Sequence, residues 1–304
     1  RTAHHSRRSG PWHEGEMTRP ALLPFVLLGL PLSLILLSWF TPATQSQTTP
    51  DLPLNGPLPT TVLVRVVAHG SMVLGKDVGG ARVTITDVAT GQILATGIQQ
   101  GDTGDQNQIM RTPRLMEEAH YSSLPAAVFT TTLDLVIPTL VEIAAEGPLA
   151  FPAATQRVST RVWLIPGHDL TSDGIVLSLY GFIVQIEHPK TCGTSLMAKD
   201  DVMLRASVRT LSGALVRPHS DWDSRKVHIY GELLIGTKVI ERLQMFYSGE
   251  KASFEAPFFV PLPKDAPDGI TLRVVAADPS SGNFGLAEAK YPVLSERLPP
   301  KAVH

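Results

Sequence analysis

The chain has 304 residues, of which 43% are hydrophobic and 18% are charged, a composition that suits globular domains and excludes wholesale disorder. Its formal net charge of −2 argues against nucleic acid as a partner, because nucleic acid is attracted by strongly basic surfaces. The 24 glycines and 25 prolines favour many short strands joined by turns. Cys192 is the single cysteine, so an internal disulfide is excluded, and its side chain is expected to fill a small, partly buried space.

An uncharged run of twenty residues, 21–40, lies near the N-terminus. Its length matches the ~30 Å hydrocarbon core of a bilayer. Arg19 precedes the run and no Lys or Arg follows before Arg65, an asymmetry that keeps the N-terminus inside and exports the body. Residues 17–43 are therefore predicted to be a cleaved signal peptide or an uncleaved anchor with a single transmembrane helix. Residues 1–16, before the first methionine, are expected to be an upstream or disordered extension.

A flexible polar linker is predicted over residues 44–58, and the first domain over residues 59–166. Alternation of apolar and polar residues predicts half-buried strands in this domain. The strand candidates are Thr60–Ala68, Ala81–Asp87, Gln92–Gly97, Phe129–Ile137, Thr139–Ala145 and Arg157–Ile165. A hairpin turn is predicted over Asp87–Gly91, where the glycine supplies the positive φ that such turns need.

A polar insertion, residues 99–123, interrupts the strand pattern of the first half. Within it, only Pro113–Tyr121 has the spacing of a short helix. Loops on a rigid sandwich commonly carry binding, so the insertion and the exposed strand edges are predicted to form contact surfaces. Deleting the insertion is expected to leave folding intact.

Turn residues over Pro166–Gly174 predict a domain boundary, followed by a second domain over residues 175–295 and a tail over 296–304. The strand candidates of the second half are Val176–Leu179, Phe182–Ile186, Val202–Val208, Val227–Leu234, Leu243–Tyr247, Ala252–Phe259, Thr271–Ala276 and Ala287–Val293. Short strands at this spacing, with turns between them, are typical of an antiparallel sandwich. The predicted fold class is therefore all-β, with two antiparallel β-sandwich domains after an N-terminal signal or single transmembrane helix.

The segment over residues 80–91 reads Gly-Ala-Arg-Val-Thr-Ile-Thr-Asp-Val-Ala-Thr-Gly. It resembles carboxypeptidase regulatory-like (transthyretin-like) β-sandwich domains, in which a G-A-x-V-x-V-x-D-x-x-T-G hairpin is the recognisable element. The second half is similar in pattern to bacterial immunoglobulin-like domains. Together the two halves resemble exported bacterial proteins, and this resemblance implies accessory domains that present surfaces, space other parts or bind partners.

Two clusters of side chains are candidate metal sites. His219, Asp221 and Asp223 would share one face of an extended segment and could hold a divalent metal with open coordination positions. The alternative is a surface loop in which Trp222 plugs the edge of the sandwich.

The second cluster, formed by Asp102, Asp105 and Asn107, offers oxygen ligands of the kind that calcium accepts. It lacks the spacing and the closing glutamate of an EF-hand loop, so a solvated turn is the alternative. Residues 102–104 also spell the Asp-Thr-Gly triplet of aspartic proteases, but no second copy and no preceding apolar strand accompany it.

No G-x-S-x-G elbow, Walker loop, G-x-G-x-x-G or H-E-x-x-H motif occurs in the sequence, so the chain is predicted not to be an enzyme. The favoured function is a non-catalytic protein, exported to the periplasmic or extracellular face, that binds another protein or a surface polysaccharide. One alternative is an accessory subunit of a membrane complex, held in the membrane through residues 21–40. The other is a metal-binding module or metal-dependent hydrolase. No cofactor is expected beyond calcium or another divalent metal.

Overall fold

The computed structural model describes residues 56–115 and 118–295. Across these ranges the protein is all-β, with seventeen strands, one short α-helix, α1 (Gln106–Arg111), and three single-turn 3-10 helices. No helix within them is long and apolar enough to cross a bilayer. The predicted export segment 17–43 and the tail 296–304 lie outside the described residues.

Seven strands form the first sandwich. They are β1 (Leu58–Ala68), β2 (Arg82–Asp87), β3 (Ile93–Ile98), β4 (Phe129–Leu135), β5 (Thr139–Gly147), β6 (Gln156–Leu164) and β7 (Leu170–Leu179). One sheet has the order β4-β1-β7 and the other has the order β3-β2-β5-β6. Val62, Val64 and Val66 of β1 are fully buried and share a core with Ile85 and Ile143 of the second sheet, as the two-residue period of a strand requires.

Strand β7 belongs to the first sandwich, although its second half falls within the second domain predicted over residues 175–295. It runs parallel to β1, and its Leu177 and Leu179 are buried in the first core. Gly174 lies at a shift in this pairing, with φ of 65°, and a Cβ there would lie 2.2 Å from the Leu63 carbonyl oxygen. The glycine that suggested a linker is thus needed for a bulge within a strand, and the passage between the sandwiches lies at residues 180–181.

The second sandwich is built from the remaining strands. They are β8 (Phe182–His188), β9 (Leu196–Met197), β10 (Asp201–Thr210), β11 (His228–Ile235), β12 (Lys238–Gln244), β13 (Phe246–Tyr247), β14 (Ser253–Phe259), β15 (Ile270–Asp278), β16 (Asn283–Tyr291) and β17 (Val293–Leu294). The orders are β13-β14-β10-β8 and β12-β11-β15-β16, with β9 and β17 as a separate parallel pair. Leu204, Leu272 and Val274 are fully buried between the two large sheets.

Local signals explain where the sequence predictions hold. The predicted hairpin at Asp87–Gly91 is confirmed: the Gly91 amide donates to the Asp87 carbonyl at 2.8 Å, and Gly91 has φ of 72°. Most of β12 was missed because only Leu243 among its residues is buried, so it shows little apolar alternation.

The helix prediction at Pro113–Tyr121 is wrong for the residues that are described there, 113–115 and 118–121. Helix α1 lies earlier because Asp105 caps it: the Asp105 carboxylate accepts hydrogen bonds from the Asn107 and Gln108 amides at 2.8 and 3.0 Å, the standard role of an N-cap aspartate.

The stretch 99–123 is anchored at both ends, so it is not the removable insertion that the sequence predicts. Gln99 is 1% exposed. Its side chain accepts a hydrogen bond from the Val66 amide at 2.6 Å and donates to the carbonyls of Val66 and Leu74 at 3.0 and 2.9 Å. At the other end, the Asp173 carboxylate accepts from the Tyr121 amide at 2.8 Å. Deleting the stretch would leave these buried groups unpaired.

Candidate binding cleft at the sandwich junction

Buried hydroxyl groups join the two sandwiches. Ser71, in the loop after β1, lies 2.8 Å from Ser212 and 3.1 Å from Thr210 of the second sandwich, measured between side-chain oxygens. Thr210 and Ser212 lie 2.9 Å apart. All three side chains are buried. Each hydroxyl group lies within hydrogen-bond distance of the other two, so none is left without a partner, as is usual for buried polar groups.

Asn283 forms a second link across the junction. Its amide group donates to the His69 carbonyl at 3.1 Å, and its side-chain oxygen accepts from the Gly181 amide at 2.9 Å. The ring of His69 stacks on Tyr180 with the centroids 4.1 Å apart. These contacts hold both Tyr180 and Gly181, the two residues through which the chain passes from one sandwich to the other.

Trp222 lies at the centre of the junction. It comes from the long connection between β10 and β11, and its indole N–H donates to the Gly70 carbonyl at 3.2 Å. The ring packs against the second core and also against a small cluster from the first half that includes Val73 and Ile109. Trp222 therefore closes the edge of a sandwich, as the alternative interpretation of the sequence proposes, and it does so against the other sandwich.

A cleft of about 730 Å³ opens beside Trp222, within the range of roughly 300–1,000 Å³ that is usual for ligand sites. Its walls come from both sandwiches: Met72, Asp77 and residues between 103 and 111 form one side, and residues between 212 and 222 form the other. Its charged side chains are two arginines and two aspartates, with one histidine: Arg111, Arg217, Asp77, Asp221 and His219. The formal charges of the arginines and aspartates cancel, so the cleft is polar without a net charge.

An ion pair crosses the cleft. Arg111 of α1 donates to the Asp221 carboxylate at 2.9 and 3.2 Å, and Gln106 donates to the same carboxylate. Hydrogen bonds from Arg111 and then from Gln106 lower the pKa of Asp221 below its ordinary value, because they stabilise the charged form. The pair is exposed, with 60% of the Arg111 side chain accessible, so it positions the walls more than it stabilises the fold.

The structure separates the residues of the first predicted metal site. Asp221 is engaged by Arg111, whereas Asp223 is held by Arg225, whose hydrogen bonds lower the pKa of the Asp223 carboxyl. His219 has φ of 58°, which turns the backbone out of the extended form that would align the three side chains.

The residues of the second predicted site also have separate contacts. Asp102 pairs with Lys76 at 2.6 Å, Asp105 caps α1, and Asn107 accepts from Arg111 at 3.1 Å. Among the described residues, no three His, Cys, Asp or Glu side chains are arranged to hold a metal ion. The two metal sites stay predictions from the sequence. In the structure, the carboxylates of both sites accept hydrogen bonds or form ion pairs within the protein.

His219 and Asp221, two of the metal ligands predicted from the sequence, line this cleft. The pairing of Asp221 with Arg111, 110 residues earlier in the chain, has no local signal. Cys192, expected to be partly buried, is exposed.

No protein-family model matches the chain, and no curated protein matches it either. Among solved structures it matches the three N-terminal domains of the highly immunogenic outer capsid protein of bacteriophage RB49, with 12% identity over 78% of this chain and 59% of that one, at a TM-score of 0.25. It also matches the ectodomain of mouse nectin-like molecule 4, with 12% identity, 82% and 67% coverage and a TM-score of 0.21. A third match is Parabacteroides merdae β-glucuronidase, with 10% identity, 76% and 24% coverage and a TM-score of 0.19.

The chain thus spans 59% of the capsid-protein structure that it matches. With TM-scores this low, the assignment of an all-β fold rests on the strand order and the two cores described above. The resemblance to carboxypeptidase regulatory-like domains stays a prediction from the sequence.

Proposed function

We propose that this chain is a non-catalytic, exported binding protein that holds a segment of a surface polysaccharide in the cleft beside Trp222. The observation that carries the proposal is the cleft itself, which loops of both sandwiches build and hydrogen bonds hold in place before any ligand arrives. A preformed site avoids much of the ordering cost of binding.

The chemistry of the lining favours a neutral polymer rich in hydroxyl groups. An indole ring offers a flat apolar surface on which the C–H face of a sugar ring can pack. Asp77 can accept hydrogen bonds from hydroxyl groups, and Arg217 can donate to them. Because the formal charges of the arginines and aspartates cancel, the cleft does not attract a polyanion such as nucleic acid.

The export segment supports the location of this activity. Residues 21–40 carry no charge and follow Arg19, with no Lys or Arg before Arg65. This pattern of a membrane-spanning length with positive charge on its N-terminal side supports a periplasmic or extracellular location for the body, where surface polysaccharides are found. Mass spectrometry of the mature N-terminus distinguishes an anchored protein from a released one, since a start near Thr44 would exclude the anchor.

Arg217 provides the test, because it is exposed in the cleft and forms no ion pair within the described ranges. The purified full-length protein should be retained by at least one neutral glycan on an array of neutral and anionic glycans. Arg217→Ala should weaken that binding by about tenfold, the loss expected for one hydrogen bond from a charged donor.

Arg157→Ala is the matched control, since Arg157 is an exposed arginine on β6 that does not line the cleft. It should bind like the wild type. Retention by no glycan, or equal binding of both variants, would contradict the proposal.

A further inference from the structure

Large apolar side chains are exposed at the end of the first sandwich where β1 begins. We call Val136, Ile137, Trp163 and Ile165 the apolar tip. Their exposed fractions are 64%, 67%, 62% and 40%. Ile137 and Trp163 line one hollow of about 300 Å³ together with the turn at residues 87–89, and Val136 and Ile165 are their neighbours in the sequence.

The position of the tip follows from strand pairing. Leu58, the first residue of β1, pairs with Leu135, the last residue of β4, so Val136 and Ile137 extend beyond the end of the sheet. Leu135 is buried in the core, and the two residues after it form a turn where no core remains to cover them. Turns are usually polar, and an exposed apolar cluster of this kind marks a contact site.

Charged groups beside the tip are mostly engaged within the protein. The Asp87 carboxylate accepts from the Ala89 amide at 2.7 Å, and Asp169 accepts from the Thr61 amide at 2.6 Å. Exposed Asp134, next to Leu135, adds negative charge at this edge. The basic side chain next to Trp163 on the exposed face of β6, Arg161, donates to the Glu142 carboxylate at 3.2 Å. A surface of tryptophan and branched aliphatic side chains whose neighbouring basic group is already paired is suited to the interface of a zwitterionic bilayer more than to anionic lipid.

The preceding chain indicates what covers the tip. The uncharged run ends at Phe40, and residues 41–57 connect it to β1, a connection of 17 residues. For random-coil statistics, 17 residues correspond to an average span of about 21–25 Å. With the run in a bilayer, the tip is confined close to the lipid surface, and such confinement raises the effective concentration to about millimolar. A weak apolar contact then suffices.

We propose that the apolar tip rests on the lipid bilayer, with Val136, Ile137 and Trp163 among the headgroups. This inference rests on the anchored form of the exported protein, one of the two forms that the proposed function allows, with residues 21–40 in the bilayer. β1 runs from the tip to the junction over 11 residues, about 36 Å at the rise of a strand. The first sandwich therefore stands on the membrane and presents the Trp222 cleft roughly that far above the lipid.

Spin labels on the full chain test the contact. In a Cys192→Ser background, which removes the single native cysteine, Ile137→Cys and Leu286→Cys each provide one labelling position. Leu286, 56% exposed on β16 of the second sandwich, is the matched control. The labelled proteins are reconstituted into phosphatidylcholine vesicles, and collision of each label with oxygen, which concentrates in lipid, is compared with collision with a water-soluble nickel chelate.

The label at residue 137 should favour oxygen over the chelate severalfold more than the label at residue 286, and Val136→Cys should repeat this result. Equal, aqueous behaviour at both positions would overturn the proposal, and so would burial of both labels in lipid, which indicates adsorption without orientation. Glycan capture by the same vesicles reports on the cleft separately. Its loss with residue 137 in lipid would overturn only the polysaccharide assignment.

Discussion

The two ends of the first sandwich reverse the usual relation between polarity and burial. At the junction, the hydroxyl groups of Ser71, Thr210 and Ser212 are buried; at the apolar tip, Ile137 is two-thirds exposed. Buried polar groups are stable when they satisfy one another, whereas an apolar turn beyond the last core layer has nothing to pack against. Burial at each end therefore depends on what covers it: the second sandwich covers one end, and no described part of the chain covers the other.

We expect the largest loss of stability from Gln99→Leu, at the junction end of the first sandwich. The change leaves the Val66 amide and the carbonyls of Val66 and Leu74 without their buried partner. Since each such group costs roughly 1–3 kcal/mol, we expect a loss of about 3–5 kcal/mol in the free energy of unfolding, measured by urea denaturation. Gln100→Leu, at the exposed neighbouring position, is the control and should change stability by about 0.5 kcal/mol or less. Equal losses would show that these hydrogen bonds do not hold the loop.

A smaller effect is expected from Thr210→Val, which keeps the shape of the side chain but removes its hydroxyl group. Ser71, Ser212 and the Ala214 amide then lose one partner each, and we expect a loss of about 1–2 kcal/mol in the free energy of unfolding. Thr130→Val, on the exposed face of β4, should leave stability nearly unchanged. If Thr210→Val leaves the free energy of unfolding unchanged, water takes the place of the hydroxyl group, and the junction contains more water than its geometry implies.

We expect the smallest loss of stability from a substitution in the apolar tip. Ile137→Ser should change the free energy of unfolding by about 0.5 kcal/mol or less, because the side chain leaves no cavity when it is removed. The same substitution at Ile85, fully buried in the first core, should cost several kcal/mol. Urea unfolding of both variants provides the measurement. A large loss at Ile137 would show that the tip is part of the core and would remove the contrast between the two ends.

The sequence predicts those parts of the fold that depend on neighbouring residues. Alternation in β1 and the turn chemistry at Asp87–Gly91 are local, and both predictions are confirmed. The parallel pairing of β7 with β1 depends on residues about 110 positions apart, and Gly174 looks the same in a linker as in a bulge. Gln99 reads as a polar loop residue, because only the folded chain brings the Val66 and Leu74 backbone to its side chain.

In the candidate cleft, too, the sequence predicts only what depends on neighbouring residues. The sequence singles out Asp221, but the metal-binding role predicted for it rests on its neighbours His219 and Asp223. Its actual partners, Gln106 and Arg111, come from the other half of the chain. A pattern of potential ligands in one loop cannot indicate which arginine will reach a carboxylate after folding.

The parallel pairing of β1 and β7 also has a mechanical consequence. The chain enters β1 at the tip, on the proposed membrane side, and leaves β7 at the junction, on the side of the cleft. A pull on a ligand held in the cleft would draw these two strands in opposite directions along their length. The hydrogen bonds between them would then be strained together in shear and would not open one after another, so the attachment resists tension through the strand pair at the centre of the first sandwich.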